Sequence, residues 1–243
     1  MSTKKIIPIL PSRVTVEGLD RAPHRAFLRA LGLSEIDFKK PFVGVASTDS
    51  RVTPCNALLG EFAREACAAV REAGGVPFDF AAASVADSMS MGHGGMRYSL
   101  VSRELVADSV EAVARGHAYD ALVTFAGCDK TLPGMMMAMA RLNLPSVFVY
   151  GGAALPGRWK GRDVTVGDTY EGVGAVLAGS MSEKDLKELE EACLPPSAPV
   201  PASSPPTPWR WCRRRWVSHS PGRPRCRPSR PSEARSPDGP EEW

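Results

Sequence analysis

What this chain lacks already narrows its nature. No apolar run approaches the length needed to cross a bilayer, which excludes a transmembrane helix. The first eight residues hold two lysines and only a short apolar patch. They lack the long apolar core of a secretory signal, so a cytoplasmic protein is expected. The six cysteines, Cys55, Cys67, Cys128, Cys193, Cys212 and Cys226, include no CxxC pair. In a chain without a secretory signal, that pattern speaks against a disulfide framework. It leaves buried thiols, or ligands brought together from distant loops. The last fifty residues, 194–243, lack isoleucine, phenylalanine, methionine, tyrosine and lysine, and hold one leucine and two valines.

Those same fifty residues hold 13 of the 22 prolines, nine arginines and four of the five tryptophans. With four acidic residues, their formal charge is +5, whereas residues 1–193 carry 21 basic and 23 acidic side chains. The net +3 of the 243-residue chain thus belongs to the tail and says nothing about partners of the body. A segment this poor in aliphatics cannot bury enough apolar surface to offset chain entropy, so disorder is expected for 194–243.

The body, 1–193, alternates helix and strand patterns. A helix is expected over 13–32, around Arg25 to Leu31. A strand is expected at Phe42 to Ala46, then a helix from Asn56 to Ala73 with Leu58, Phe62, Ala66, Ala69 and Val70 at helical spacing. Gly74-Gly75 stops it. Val76 to Ala81 reads as a second strand. Ser102 to Gly116 reads as a helix with Leu105, Val106, Val110 and Val113 on its core side. Ala121 to Ala126 is a third strand, Leu132 to Leu142 a Met-rich helix whose methionines pack in the core, and Ser146 to Tyr150 a fourth strand. Ser182 begins a last helix, with Leu186 and Leu189 inward and Asp185 near a capping-box position. The alternation implies a three-layer α/β/α domain with a largely parallel sheet.

In such sheets the loops leaving the carboxyl ends of the strands converge on one edge. Thr53-Pro-Cys-Asn follows the first strand, 87–95 the second, and Gly127-Cys-Asp-Lys the third. Cys55, Asp87, Cys128, Asp129 and Lys130 are therefore possible neighbours. Two cysteines on such loops suit a soft metal or an iron–sulfur cluster, and equally suit buried small hydrophobes. Asp87 and Asp129 suit Mg²⁺, or simply turn formation. Lys130 reads as an ion-pair partner, and His93 as a surface histidine. Gly92, Gly94 and Gly95 permit close backbone approach but fit no phosphate-binding pattern.

At these loops the resemblance becomes specific. The strings VTPCNA, SVADSMSMGHGGMRYSLVSRELVADSVE and GCDKTLPGMMMAMARLNLPSVFVYGG resemble the dihydroxy-acid dehydratase family, which includes phosphogluconate and sugar-acid dehydratases. The similarity runs from Val14 to Cys193. MRYSL and RLNLPS favour the branched-chain amino-acid branch over the sugar-acid branch. The resemblance implies that Cys55 and Cys128 are two of three cysteines holding a [2Fe–2S] cluster. It implies that Asp87 and Asp129 bind Mg²⁺, and that Lys130 becomes a further Mg²⁺ ligand once carbamylated. Mg²⁺ would fix the carboxylate and 2-hydroxyl of a small 2,3-dihydroxy acid, and an iron would act as Lewis acid on the departing 3-hydroxyl. The enol then tautomerises to a 2-oxo acid. Complete members are expected to be homodimers, with no nucleic-acid or membrane partner.

The chain also departs from the family pattern. The third cluster cysteine lies in a string like GACGG…FTANTM, which is not found here; Cys193 matches an earlier, non-ligand cysteine. The family's serine base belongs to a C-terminal domain, so no residue here is expected to be catalytic. One inserted base after the Cys193 codon, with suitable synonymous codons, makes the chain from Cys193 onward read CPPAVGACAGQFTANTMAMV. Its second cysteine falls where Val200 now stands. The expectation is a one-base deletion near codon 194, an out-of-frame tail over 194–243, and little or no activity. The string WRWCRRRW interleaves aromatics with arginines as single-stranded nucleic-acid binders do. A GC-rich gene read out of frame gives the same composition.

Overall fold

The computed structural model describes residues 10–152 and 155–194. The expected disordered tail, Cys212, Cys226 and the WRWCRRRW string lie outside the described residues, Leu194 apart.

The chain enters through a short helix α1 (Arg13–Val16) and, past Gly18, a helix α2 (Ala22–Ala30). The single helix expected over 13–32 is thus broken: Gly18 sits at φ 102°, a conformation open to glycine and costly for other residues. Strand β1 (Phe42–Ser47) follows, then α3 (Pro54–Ala57) and α4 (Leu59–Glu72). The helix expected from Asn56 is therefore two, hinged at Leu58, and Pro54 lets the first begin earlier by supplying a preset φ at its start. Next come β2 (Val76–Ala81), α5 (Asp87–Ser90) and α6 (Met96–Gly116). Then follow β3 (Ala121–Ala126), α7 (Thr131–Leu142) and β4 (Ser146–Tyr150). A short hairpin of β5 (Gly157–Trp159) and β6 (Arg162–Val164) leads to α8 (Val166–Leu177) and α9 (Glu183–Ala192).

The main sheet is fully parallel in the order β2-β1-β3-β4. The chain steps one way from β1 to β2, then back across to β3 and on to β4. Right-handed crossovers in opposite directions lay their helices on opposite faces. On one face Val45 and Phe125 pack with Leu59, Ala63 and Cys67 of α4. On the other, Phe42, Ala46, Leu122 and Ala126 pack with Val106 and Val110 of α6 and Met135 and Ala138 of α7. This is the expected three-layer α/β/α arrangement. Helix α6 starts six residues before the sequence pattern suggests, and Leu105, placed on its core side by that pattern, is 50% exposed. Val106, Ala107, Val110 and Ala114 form the buried stripe there, with Val113 packed beside it.

Two features pin these layers. Asp120, buried ahead of β3, accepts hydrogen bonds from the Ser12 amide (2.8 Å), the Ser12 hydroxyl (2.6 Å) and the Phe42 amide (2.7 Å). It ties the entry segment to β1. A Cβ on Gly134 would stand 2.7 Å from the Arg103 carbonyl oxygen, so this glycine lets α7 lie directly on α6. As the sequence suggests, the Ser182 hydroxyl accepts from the Asp185 amide (3.1 Å) and caps α9, and Leu189 is fully buried. Among the described residues no helix is long and apolar enough to cross a membrane.

Candidate functional site

β1 and β3 are adjacent, and the chain leaves them toward opposite faces: α4 covers one side and α7 the other. Their carboxyl ends are thus the switch point of the sheet, the place where α/β sheets of this kind bind ligands. Thr53 is extended and ends the first loop, and Pro54 opens α3 with Cys55 and Asn56. Gly127, Cys128, Asp129 and Lys130 form the second loop, and Thr131 opens α7. Asp87 arrives from beyond β2 at the start of α5.

The two cysteines meet. Their Sγ atoms lie 2.7 Å apart although 73 residues separate them in the chain. Thr53 Oγ1 stands 3.2 Å from Cys55 Sγ and 4.0 Å from Cys128 Sγ. Cys128 is buried and Cys55 half-buried. The bond from Cys128 holds the Cys55 thiol down at about 7, against the opposing effect of burial. The same bond, together with burial, pushes Cys128 up, so Cys128 keeps the proton of the pair. The nearby Asp87 charge acts on both sulfurs and raises both.

The backbone around Cys128 is fixed by Thr131, itself fully buried. Its hydroxyl accepts from the Cys128 amide and donates to the Cys128 carbonyl, both at 3.0 Å. A Cβ on Gly127 would stand 1.9 Å from the Cys55 carbonyl oxygen, so only glycine lets the two loops touch. Asn56, buried, accepts from the Thr48 hydroxyl at 3.3 Å and braces the end of β1. Thr53, Asn56, Gly127 and Thr131 were not among the residues marked by sequence pattern. Thr53 before Pro54 was the one local hint, since threonine followed by proline suits a helix start.

Asp87, Asp129 and Lys130 also meet. Lys130 Nζ is hydrogen-bonded to Asp129 Oδ2 and lies 3.6 Å from Asp87 Oδ2. The bond to Asp129 holds the ammonium above the ordinary lysine range, burial opposes it, and Asp87 adds to the rise. All five residues expected to be neighbours are therefore brought together. His93 is exposed, as expected, and its ring bonds Met89 and Gly95 of its own loop.

The donor chemistry divides into soft and hard. Two thiols suit iron or another thiophilic centre. Two carboxylates suit a hard cation, and the Lys130 ammonium stands between them where such a cation would sit. The types fit a cluster and Mg²⁺, but the count is short. Among the described residues, no three Cys, His, Asp or Glu side chains are grouped so as to hold a metal. Cys67 and Cys193 lie in apolar packing elsewhere.

A family model described as dihydroxy-acid/6-phosphogluconate dehydratase N-terminal matches residues 40–198. Dihydroxy-acid dehydratase 3 of Bradyrhizobium diazoefficiens is 53% identical over 186 residues, 76% of this chain and 32% of that protein. The dihydroxy-acid dehydratase of Pelagibacter ubique is 55% identical over the same shares of each chain. Dihydroxy-acid dehydratase 2 of Bordetella bronchiseptica is 54% identical over 190 residues, 78% of this chain and 33% of the relative. The chain spans about a third of the length of the curated relatives it matches.

Proposed function

The chain belongs to the dihydroxy-acid/6-phosphogluconate dehydratase family, matching its N-terminal part, and on that premise we propose that it is the cofactor-binding portion of a dihydroxy-acid dehydratase. The reaction is loss of water from 2,3-dihydroxy-3-methylbutanoate and its methylpentanoate homologue, giving the 2-oxo acids of valine and isoleucine synthesis. The observation that carries this reading is the meeting of a sulfur pair and an oxygen cluster, from three separate loops, beyond the carboxyl ends of β1 and β3.

Cys55 and Cys128 would hold a [2Fe–2S] cluster, and Asp87, Asp129 and a carbamylated Lys130 would hold Mg²⁺. Bound there, these groups supply Lewis acidity toward the substrate oxygens. The chain's own residues do the positioning. Gly127 and Thr131 hold the Cys128 loop against Cys55. Asp87 places negative charge near both thiols, and Lys130 pairs with Asp87 and Asp129 while it remains an ammonium. Converting Lys130 to a carbamate removes that internal cation and adds oxygen donors in its place.

Two thiols where the family uses three would retain a cluster poorly, so in the present reading frame the chain has little or no turnover. A one-base deletion near codon 194 accounts for both the missing motif and the composition of 194–243. Anaerobic reconstitution with iron and sulfide, read by visible absorption, tests the assignment. The expected result is a weakly held chromophore, lost on desalting and absent from Cys55→Ser. The gene with one base restored after codon 193 retains it and releases 2-oxoisovalerate from 2,3-dihydroxyisovalerate. Absorption unchanged in Cys55→Ser overturns the ligand assignment. Clear turnover by the chain as read overturns its inactivity, and a resequenced locus that keeps the present base count, together with a stable folded tail, shows that the missing base was not lost in sequencing.

A further inference from the structure

The closeness of Cys55 and Cys128 has a chemical consequence whether or not iron ever binds. We propose that in the iron-free chain these two residues form a dithiol–disulfide couple, with Cys55 as the thiol that meets the oxidant and Cys128 as the one that resolves it.

The geometry assigns the roles. Cys55 is half-buried and Cys128 only 4% exposed, so a small molecule reaches Cys55 first. Cys128 Sγ is already 2.7 Å from Cys55 Sγ, so the two sulfurs need close by only about 0.7 Å to reach bonding distance. Both backbones are held in place: Pro54 begins α3 beside Cys55, Thr131 clamps the Cys128 amide and carbonyl, and Gly127 lies against the Cys55 carbonyl. The other described thiols are poor competitors, because Cys67 and Cys193 are 3% and 5% exposed within apolar clusters.

The oxidant is a small-molecule disulfide such as oxidised glutathione. The Cys55 thiolate attacks one of its sulfurs, which breaks that S–S bond and releases one glutathione thiolate. Cys128 then attacks Cys55 Sγ, expels the second glutathione and gives up its proton to the leaving thiolate. The protein loses two hydrogens, and two glutathione thiols are formed.

The full-length Cys212→Ser/Cys226→Ser chain, purified without iron, is treated with oxidised glutathione, alkylated and digested with trypsin. The expected product is peptide 52–64 linked to peptide 116–130, which carry Cys55 and Cys128 as their sole cysteines. Cys128→Ser in that background is expected to stop at a stable glutathione adduct on Cys55. The proposal is overturned if glutathione persists on Cys55 while Cys128 is present, if both thiols remain alkylatable, or if a different pair is linked. This couple stands on sulfur geometry and not on the cluster reading. A linked pair in a chain that takes up no iron after reduction would sink the cluster reading alone.

Discussion

Gly127 decides how near the two thiol loops can come. A Cβ there would meet the Cys55 carbonyl oxygen at 1.9 Å and its carbon at 2.9 Å. Backbone atoms cannot swing aside as a side-chain tip can, so Gly127→Ala must drive the loops apart. The expected cost is about 1–3 kcal/mol in urea denaturation, together with loss of the 52–64/116–130 cross-link. A variant with an unchanged midpoint and full cross-linking would show that the contact matters little. Nothing in the local sequence marks Gly127 beyond its small size, because its partner is a carbonyl from a loop far upstream. Cys55, Asp87, Cys128, Asp129 and Lys130 are legible in the sequence, since each sits past a strand pattern and strand ends converge in parallel sheets. Which of them touch was not readable, because that depends on side-chain directions that only folding sets.

Among the elements, β1 and β3 are joined by more than their ladder. Asp120 binds Ser12 and Phe42 together at the head of β3. Asp120→Ala leaves three buried donors without their acceptor, and about 3 kcal/mol of stability is expected to go with them. The entry segment carrying α1 should then lose hydrogen-exchange protection before the sheet does; equal loss across both would show that Asp120 holds no separate seam. The strands themselves were plain in the sequence, because Phe42 to Ala46, Ala121 to Ala126 and Ser146 to Tyr150 are short apolar runs with clear breaks. The helices were less so. Met96 to Val101 exposes every side chain but Ser99, so its membership in α6 rests on continuity through the buried Ser99 and Ser102, not on a buried apolar stripe. At the start of α8 the Asp168 carboxylate accepts from both the amide and the hydroxyl of Thr165, a spacing visible in the sequence though no apolar stripe accompanies it.

For the molecule as a whole, one buried phenol contributes to alkaline stability. Burial pushes Tyr119 up to about 12, and the Asp79 charge adds to this. An unfolded tyrosine ionises near 10. The folded state therefore binds the proton more tightly. Its contribution is complete below pH 10 and is lost as pH rises from about 10 to 12, by about 2–3 kcal/mol in all. Tyr119→Phe keeps a ring in the stack on Phe78 (5.5 Å between centroids) and is expected to show a shallower alkaline fall. Parallel pH profiles for the two proteins would place the titration elsewhere.

The strand order carries a last consequence, for synthesis on the ribosome. β1 is made first yet ends up between two partners, and β3, its second neighbour, is complete only when Ala126 has been added. At about 5–20 residues per second, the stretch from Ser47 to Ala126 takes roughly 4–16 seconds to translate. Throughout that interval one full edge of β1 has no neighbouring strand, with apolar Val45 and Ala46 at its centre. Nascent-chain chaperone occupancy should therefore peak while α4, β2 and α6 are emerging, and should fall once β3 clears the exit tunnel.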